Sequence, residues 1–87
     1  MGQLSGKVAL ITGAGQGVGQ GIALAMATAG AFVVVSGRTL EKLQKTVADI
    51  EGRGGKAIAV AGDVKSASDL AHCVDRAVTQ GGGLDIL

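Results

Sequence analysis

Two apolar patterns alternate along this chain, and their order leaves little choice of fold. Short apolar runs occupy residues 7–12, 31–36 and 56–61, and a further run begins at 84–87. Between these runs, apolar residues recur at three- and four-residue steps. Short runs bounded by glycine are typical of strands buried on both faces, and the three- and four-residue step is typical of helices. We therefore predict the order β-α-β-α-β-α-β, an α/β fold whose parallel sheet is covered by helices on both faces.

Capping residues and glycines mark the ends of the three predicted helices. The first helix is expected from residue 17 to residue 29, with these apolar residues at helical spacing: Val18, Ile22, Ala25, Met26 and Ala29. Thr39 is expected to cap the second helix, and Ser66 begins a pattern similar to a capping box that ends at Asp69. Glycines stand where each helix should stop: Gly30, Gly52 and the run 81–83.

The composition indicates a small folded domain and excludes several classes of site. The chain has 87 residues, of which 47% are hydrophobic and 17% charged, and it has no proline. Its 16 glycines far exceed the average share of about 7% and form no collagen-like repeat. Tyrosine is absent, which excludes a phenolic proton donor within the chain. The single cysteine, Cys73, cannot form an internal disulfide or a thiolate zinc site, so we expect no metal site.

Charge and hydropathy argue against partners such as nucleic acids and membranes. The net charge is +1, and the eight basic residues are scattered among seven acidic ones. With one aromatic residue and no basic stripe, nucleic-acid binding has little support. The longest apolar stretch has 14 residues, 22–35, and is interrupted, whereas a membrane span needs about 20. We therefore expect a cytoplasmic protein that binds neither nucleic acid nor membrane.

The most informative segment is the glycine-rich turn Thr12-Gly-Ala-Gly-Gln-Gly-Val-Gly19, which leaves a predicted strand and enters a predicted helix. In this context it is typical of dinucleotide binding. Gly13 permits the sharp turn, Gly17 lets a pyrophosphate approach the backbone, and Gly19 lets the helix pack closely on the sheet. Alternatively the glycines only punctuate the turn, although each weakens the structure by about 0.5–1 kcal/mol relative to alanine. A Walker phosphate loop is excluded because no Gly-Lys-Ser/Thr follows.

Two charged residues follow the second and third predicted strands. Dinucleotide-binding folds often place an acid after the second strand to bind the ribose hydroxyls, but here that place reads Ser36-Gly-Arg-Thr39. A guanidinium can hold a 2′-phosphate through two charge-assisted hydrogen bonds, so Arg38 favours NADP over NAD. Asp63 follows the third strand, on the side where α/β sheets bind ligands, and can accept a hydrogen bond from an adenine amino group. The alternatives are a solvated arginine and an ordinary turn aspartate.

These segments resemble the N-terminal third of the short-chain dehydrogenase/reductase family. Residues 12–19 match its TGxxxGxG motif, residues 62–64 match its adenine-binding segment, and residues 84–87 match the start of its fourth strand. The resemblance implies a Rossmann-type doubly wound sheet with strand order 3-2-1-4. It also implies that the coenzyme is bound by these residues: Gly13, Gly15, Gln16, Gly17, Val18, Gly19, Arg38, Asp63 and Val64. Many NADP-preferring members have a basic residue where this chain has Gln16, so the prediction of NADP depends mainly on Arg38.

For a full-length protein, the resemblance implies hydride transfer between a nicotinamide coenzyme and a carbonyl or alcohol group, and a homo-oligomer. The family's Asn-Asn-Ala-Gly and its Tyr-x-x-x-Lys do not occur in the 87 residues. No catalytic residue can therefore be assigned. Residues 1–87 are predicted to be one partial NAD(P)-binding domain, the N-terminal part of a longer oxidoreductase, and to be inactive alone. NADP is the expected coenzyme, and NAD is less favoured.

Other functions remain open from the sequence. The chain can be a stand-alone nucleotide-binding or regulatory module, or an interaction fragment that pairs through its fourth strand with another copy or a full-length relative. The apolar surfaces that a four-stranded sheet leaves uncovered argue against the stand-alone module. An S-adenosylmethionine-dependent methyltransferase is a weaker alternative, because it would need acids near the first glycines and after the second strand.

Overall fold

A computed structural model describes residues 4–13, 17–63 and 66–83. Within these ranges the elements are β1 (Val8–Thr12), α1 (Gly17–Thr28), β2 (Phe32–Gly37), α2 (Leu40–Gly52), β3 (Lys56–Ala61) and α3 (Ala67–Gly81). Strands and helices alternate as predicted, which confirms the α/β class. The predicted fourth strand, at residues 84–87, lies outside the described residues. None of the helices in these ranges is both long and apolar enough to cross a membrane.

The three strands form one parallel sheet in the order β1-β2-β3. Val8 of β1 lies opposite Phe32 of β2, and Phe32 lies opposite Lys56 of β3. The strands therefore start level with one another, and because they run in the same direction their carboxyl ends form one edge. These three strands are neighbours as predicted, whereas the place of a fourth strand beside β1 stays a prediction.

Each face of the sheet has its own hydrophobic core. β2 contributes to both cores, because successive strand residues point to opposite faces and its central valines have no exposed surface. The core under α1 and α2 includes Leu43 and Ile50, each with at most 1% of its surface exposed. The core under α3 consists of these buried residues: Val8, Leu10, Val34, Val60, Cys73 and Ala77. Burial on both faces explains why the strand sequences are continuous apolar runs.

Helix α1 packs most closely against the sheet through small residues, while Leu24 and Met26 are only partly buried against the same core. Ala23 and Ala27, about one helical turn apart, are its buried residues and let the helix approach the sheet closely. Val18 and Ile22 are 80% and 43% exposed. Apolar residues occupy most of the circumference of this helix, so their spacing alone does not determine which side faces the sheet.

The helix ends confirm most of the predicted capping positions. Thr39 is the N-cap residue of α2, although its side chain makes no capping hydrogen bond within the described part of the chain. Ser66 is the N-cap residue of α3, and its Oγ accepts a hydrogen bond from the backbone N–H of Asp69 at 3.4 Å. Gly82 ends α3 with a φ of +88°, a left-handed conformation that is costly for residues with a Cβ.

Candidate functional site

The candidate site lies at the edge where the three parallel strands end. The register places Thr12 of β1 opposite Ser36 of β2, and Gly37 of β2 opposite Ala61 of β3. The backbone N–H of Gly62 donates to the carbonyl oxygen of Gly37 at 2.8 Å, so the pairing of β2 with β3 continues to the last residue of β2. The segments that follow the strands therefore begin side by side, at the edge where open α/β sheets bind ligands.

The turn after β1 contains glycines in conformations that other residues disfavour. Gly13 has a φ of +65°, and Gly17, the first residue of α1, has a φ of +61°. A Cβ built on either residue would meet no described atom within 4 Å, so conformation rather than crowding requires glycine here. The open space at both positions lets a ligand come close to the backbone. Gly15 and Gln16 of the predicted site lie outside the described residues.

The start of α1 presents an environment that suits an anion. Val18 is exposed and Gly19 is half-buried in the first turn of the helix. This turn contains no acidic side chain that would repel a negative charge. The backbone N–H groups of a first turn lack partners within the helix, and the helix dipole places partial positive charge there. A phosphate can therefore be bound at this end of α1 by the backbone itself.

Arg38 and Asp63, the charged residues predicted to bind the adenosine half of a coenzyme, form an ion pair. Nη2 of Arg38 lies 3.2 Å from Oδ2 of Asp63, and the two side chains are 69% and 38% exposed. An exposed pair of this kind adds only about 0–1 kcal/mol to stability, and it brings the two charged side chains together at this edge. Sequence reasoning found each residue but missed their contact. The contact follows from the register of the sheet, in which the last residue of β2 lies opposite the last residue of β3.

Asp69 supports the turn between β3 and α3, a role that the sequence did not indicate. Its Oδ2 accepts a hydrogen bond from the backbone N–H of Asp63 at 2.9 Å. The capping-box pattern is thus half confirmed, because Ser66 Oγ caps the N–H of Asp69 while the Asp69 carboxylate is bound to Asp63. The N–H of Ser66 donates to the carbonyl oxygen of Asp63 at 2.9 Å. Val64, predicted to bind adenine through its backbone, lies outside the described residues.

Cys73 connects α3 to the middle strand just below the site. Its Sγ lies 3.1 Å from Oγ of Ser36, and both residues are fully buried. The interpretation of Cys73 as a small packing residue is confirmed by its place in the core under α3. The neighbouring His72 is exposed, as expected for a surface residue. Across residues 4–13, 17–63 and 66–83, no three histidine, cysteine or acidic side chains are grouped so that they could hold a metal ion.

Comparison of the sequence with known proteins gives a match over nearly the whole chain. The family model described as short chain dehydrogenase matches residues 7–87. A short chain dehydrogenase of Claviceps purpurea is 41% identical over 86 residues, which cover 98% of this chain and 33% of that protein. The chain therefore spans about a third of the length of this relative.

Solved structures of oxidoreductases share this fold. A metagenomic short-chain oxidoreductase in complex with NADP superposes with a TM-score of 0.90 at 36% identity, covering 97% of this chain and 38% of that one. A 7-alpha-hydroxysteroid dehydrogenase complexed with NADH and 7-oxo glycochenodeoxycholic acid superposes with a TM-score of 0.93 at 42% identity, covering 95% and 33%. The parallel sheet, the glycine-rich turn at its edge and the family match lead to one conclusion: the chain belongs to the short-chain dehydrogenase family.

Proposed function

We propose that this chain binds the adenosine end of NADP as the coenzyme-binding part of an oxidoreductase that interconverts carbonyl and alcohol groups. The observation that carries the proposal is the ion pair at the ligand-binding edge of the sheet. Asp63 holds Nη2 of Arg38 at 3.2 Å, while 69% of the arginine side chain is exposed. A guanidinium that is both oriented and exposed is well placed to bind a phosphate through its remaining donors.

Each segment at this edge has a distinct role in the proposal. The pyrophosphate lies over the glycine-rich turn and the start of α1, at these residues: Gly13, Gly15, Gln16, Gly17, Val18 and Gly19. Arg38 binds the 2′-phosphate of the adenosine ribose. The carboxylate of Asp63 and the backbone of Val64 bind the adenine. The positive φ of Gly13 and Gly17 and the lack of an acid in the first turn of α1 support the first of these roles.

The preference for NADP over NAD depends on Arg38. Solved relatives carry NADP in one case and NADH in another, so membership of the family does not select the coenzyme. NAD enzymes of this general fold often use an acid after β2 to bind the ribose hydroxyls, and Gly37-Arg38 occupies that place here. A carboxylate there would repel a 2′-phosphate, whereas a guanidinium attracts it.

Coenzyme binding and the chemical step are assigned to different parts of the enzyme. A bound nicotinamide coenzyme supplies or accepts the hydride. The edge residues of this chain bind and orient the adenosine end of the coenzyme. The proposal assigns none of them a proton transfer to the substrate. Because the 87 residues contain no tyrosine, a phenolic proton donor has to come from outside them. Changes at this edge should therefore alter coenzyme affinity and coenzyme choice.

The test compares two small ligands, 2′,5′-ADP and 5′-AMP, which differ only in the 2′-phosphate. Titration calorimetry of the purified protein should show tighter binding of 2′,5′-ADP. The change Arg38→Ala should reduce this preference by about 10- to 100-fold, because hydrogen bonds to charged groups contribute roughly 1.5–3 kcal/mol. Equal binding of both ligands by the unchanged protein would refute the preference for NADP.

Arg53 provides a matched control for Arg38. It is also an exposed arginine in an ion pair, with 61% of its side chain exposed and its Nε 3.9 Å from Oδ1 of Asp49. It follows the end of α2, whereas Arg38 precedes the start of that helix. The change Arg53→Ala should leave the preference for 2′,5′-ADP unchanged. A similar loss in both variants would mean that net charge, and not a specific contact, determines binding.

A further inference from the structure

Among the described residues, Asp63 is held by groups before and after it in the turn between β3 and α3. Its N–H donates to Asp69, its carbonyl oxygen accepts from the N–H of Ser66, and its carboxylate accepts from Arg38. The backbone on both sides of Asp63 is therefore fixed by groups at the start of α3. The position of that backbone limits where the Asp63 carboxylate can meet the guanidinium of Arg38.

The carboxylate of Asp69 faces this turn and not the start of its own helix. In a capping box, the acid at this position would accept from the N–H of the N-cap residue. Here that N–H, from Ser66, donates to Asp63, and the Asp69 carboxylate receives the N–H of Asp63 at 2.9 Å. A Cβ added at Gly62 would lie 3.2 Å from the Cβ of Asp69, so Asp69 also packs closely against the residue before Asp63.

We propose that Asp69 is a positioning residue for coenzyme selection, which acts through Asp63 on Arg38. The inference rests on the proposed function, because it requires Arg38 to bind the 2′-phosphate. Asp69 holds the backbone of Asp63 through one hydrogen bond, and the ion pair with Asp63 restrains the guanidinium of Arg38. Asp69, on α3, thereby influences how tightly Arg38 binds the 2′-phosphate, although Asp69 does not contact that phosphate.

The physical basis is the freedom of the Arg38 side chain. A long exposed arginine loses conformational entropy when it binds an anion. An ion pair that already restricts the guanidinium removes part of that loss before the ligand arrives. If Asp69 no longer holds the backbone of Asp63, the carboxylate can turn away and Arg38 regains its freedom. The affinity for the 2′-phosphate then falls, while contacts to the rest of the nucleotide remain.

The carboxylates of Asp63 and Asp69 also have an opposite effect, because their negative charges repel a phosphate. Solvent and salt screen this repulsion between partly exposed groups. The change Asp69→Asn separates the two effects, since the amide oxygen can still accept from the N–H of Asp63 while the charge is lost. The change Asp69→Ala removes the acceptor and the charge together.

The experiment measures the ratio of the dissociation constants of 5′-AMP and 2′,5′-ADP by titration calorimetry. We expect Asp69→Ala to lower this ratio about fivefold, within the range of couplings among residues of one hydrogen-bond network. Asp69→Asn should keep the ratio close to that of the unchanged protein. If Asp69→Ala does not fold, Asp69→Ser, whose hydroxyl is on a shorter side chain, replaces it in the comparison.

Ser66→Ala is the matched control for the start of α3. It removes the side-chain cap of the helix but keeps the backbone N–H that binds the carbonyl oxygen of Asp63. Its ratio should stay unchanged even if its thermal midpoint falls as far as that of Asp69→Ala. A ratio that falls equally in both variants would overturn the inference, because helix fraying would then explain it.

The double variant Arg38→Ala with Asp69→Ala tests whether Asp69 acts through Arg38. In the Arg38→Ala background, the second change should have no further effect on the ratio. The positioning role is overturned if Asp69→Ala lowers the ratio by its full amount in the Arg38→Ala background, or if Asp69→Ala alone does not lower it. In either case, a preference of the unchanged protein for 2′,5′-ADP still supports the proposed function. No preference in the unchanged protein refutes both.

Discussion

Gly17 shows how one residue can serve both the fold and the site. It begins α1 with a φ of +61°, which residues with a side chain adopt only at a cost. It also belongs to the turn proposed to bind the pyrophosphate. Gly21, one turn further along the same helix, has no positive φ and faces open space among the described residues. These two glycines therefore differ in backbone conformation but not in crowding.

Replacing each of these glycines by alanine should have opposite effects on stability. We expect Gly17→Ala to destabilise the protein by about 1–2 kcal/mol, the cost of a left-handed conformation for a residue with a Cβ. We expect Gly21→Ala to stabilise it by about 0.5–1 kcal/mol, because alanine is the better helix former. Urea denaturation measures both changes. Destabilisation of equal size in both variants would contradict the conformational explanation.

The positions of the charged site residues could be predicted from the sequence, but their contacts could not. Arg38 directly follows β2 and Asp63 lies two residues after β3, and the parallel geometry brings strand ends to one edge. Their ion pair depends on the relative register of β2 and β3, which no sequence pattern specifies. The role of Asp69 was missed because a capping-box pattern offers its carboxylate a local partner, whereas the turn offers the N–H of Asp63.

At the level of whole elements, the end of α3 packs closely over the start of the sheet. A Cβ added at Gly81 would lie 2.9 Å from Cγ1 of Val8 and 3.1 Å from Cδ1 of Phe32. Val8 is buried and β-branched, so its methyl groups cannot move aside easily. Gly52 holds the corresponding last position of α2, and a Cβ there would meet no described atom within 4 Å.

This difference predicts unequal effects of alanine at two helix ends. Gly81→Ala should destabilise the protein by about 1–3 kcal/mol, the usual cost of overpacking a core. Gly52→Ala should be neutral or stabilise it by up to about 1 kcal/mol. Chemical denaturation followed by circular dichroism gives both values. Equal stability of the two variants would show that α3 can move away from β1 without cost.

The kind and order of the elements could be predicted, but the packing of α1 could not. Continuous apolar runs identify strands. Burial on both faces held for most of β1 and β2, whereas β3, at the edge of the described sheet, is only partly buried. In α3, helical spacing of the apolar residues predicts burial of Ala77, which the structure confirms. The other apolar residues at this spacing, Leu70, Val74 and Val78, are only half-buried or exposed, and Cys73 is buried instead. In α1, however, the buried residues are alanines while Val18 and Ile22 are exposed, because close approach of the helix favours small side chains at the contact.

On the scale of the whole molecule, both outer layers carry exposed apolar residues. Val18 and Ile22 lie on α1, and Val78, which is 50% exposed, lies on α3 with the half-buried Leu70 and Val74. Exposed apolar groups that adjoin one another are typical of surfaces that other protein elements cover. The chain spans about a third of its Claviceps purpurea relative, and these surfaces are where we expect further protein elements or another copy of the chain to pack.

The 87-residue polypeptide, produced alone, should therefore self-associate through these surfaces. Burying an isoleucine side chain contributes about 1.5–3 kcal/mol, so Ile22→Lys should weaken association by roughly tenfold. Leu40, also 43% exposed, lies at the start of α2 and provides the control, since Leu40→Lys should have a smaller effect. Sedimentation velocity over a range of concentrations measures both. A polypeptide that stays monomeric throughout would contradict this expectation.

The level ends of the three strands have a consequence for how this protein can be altered. The segments proposed to discriminate between coenzymes begin where strand pairing ends, so the hydrogen bonds between the strands do not depend on the side chains of these segments. The short loops at this edge can therefore be exchanged between relatives while the sheet keeps its geometry. We expect that grafting the residues after β2 together with those after β3 would transfer the proposed coenzyme preference. Grafting either segment alone would separate Arg38 from the carboxylate of Asp63.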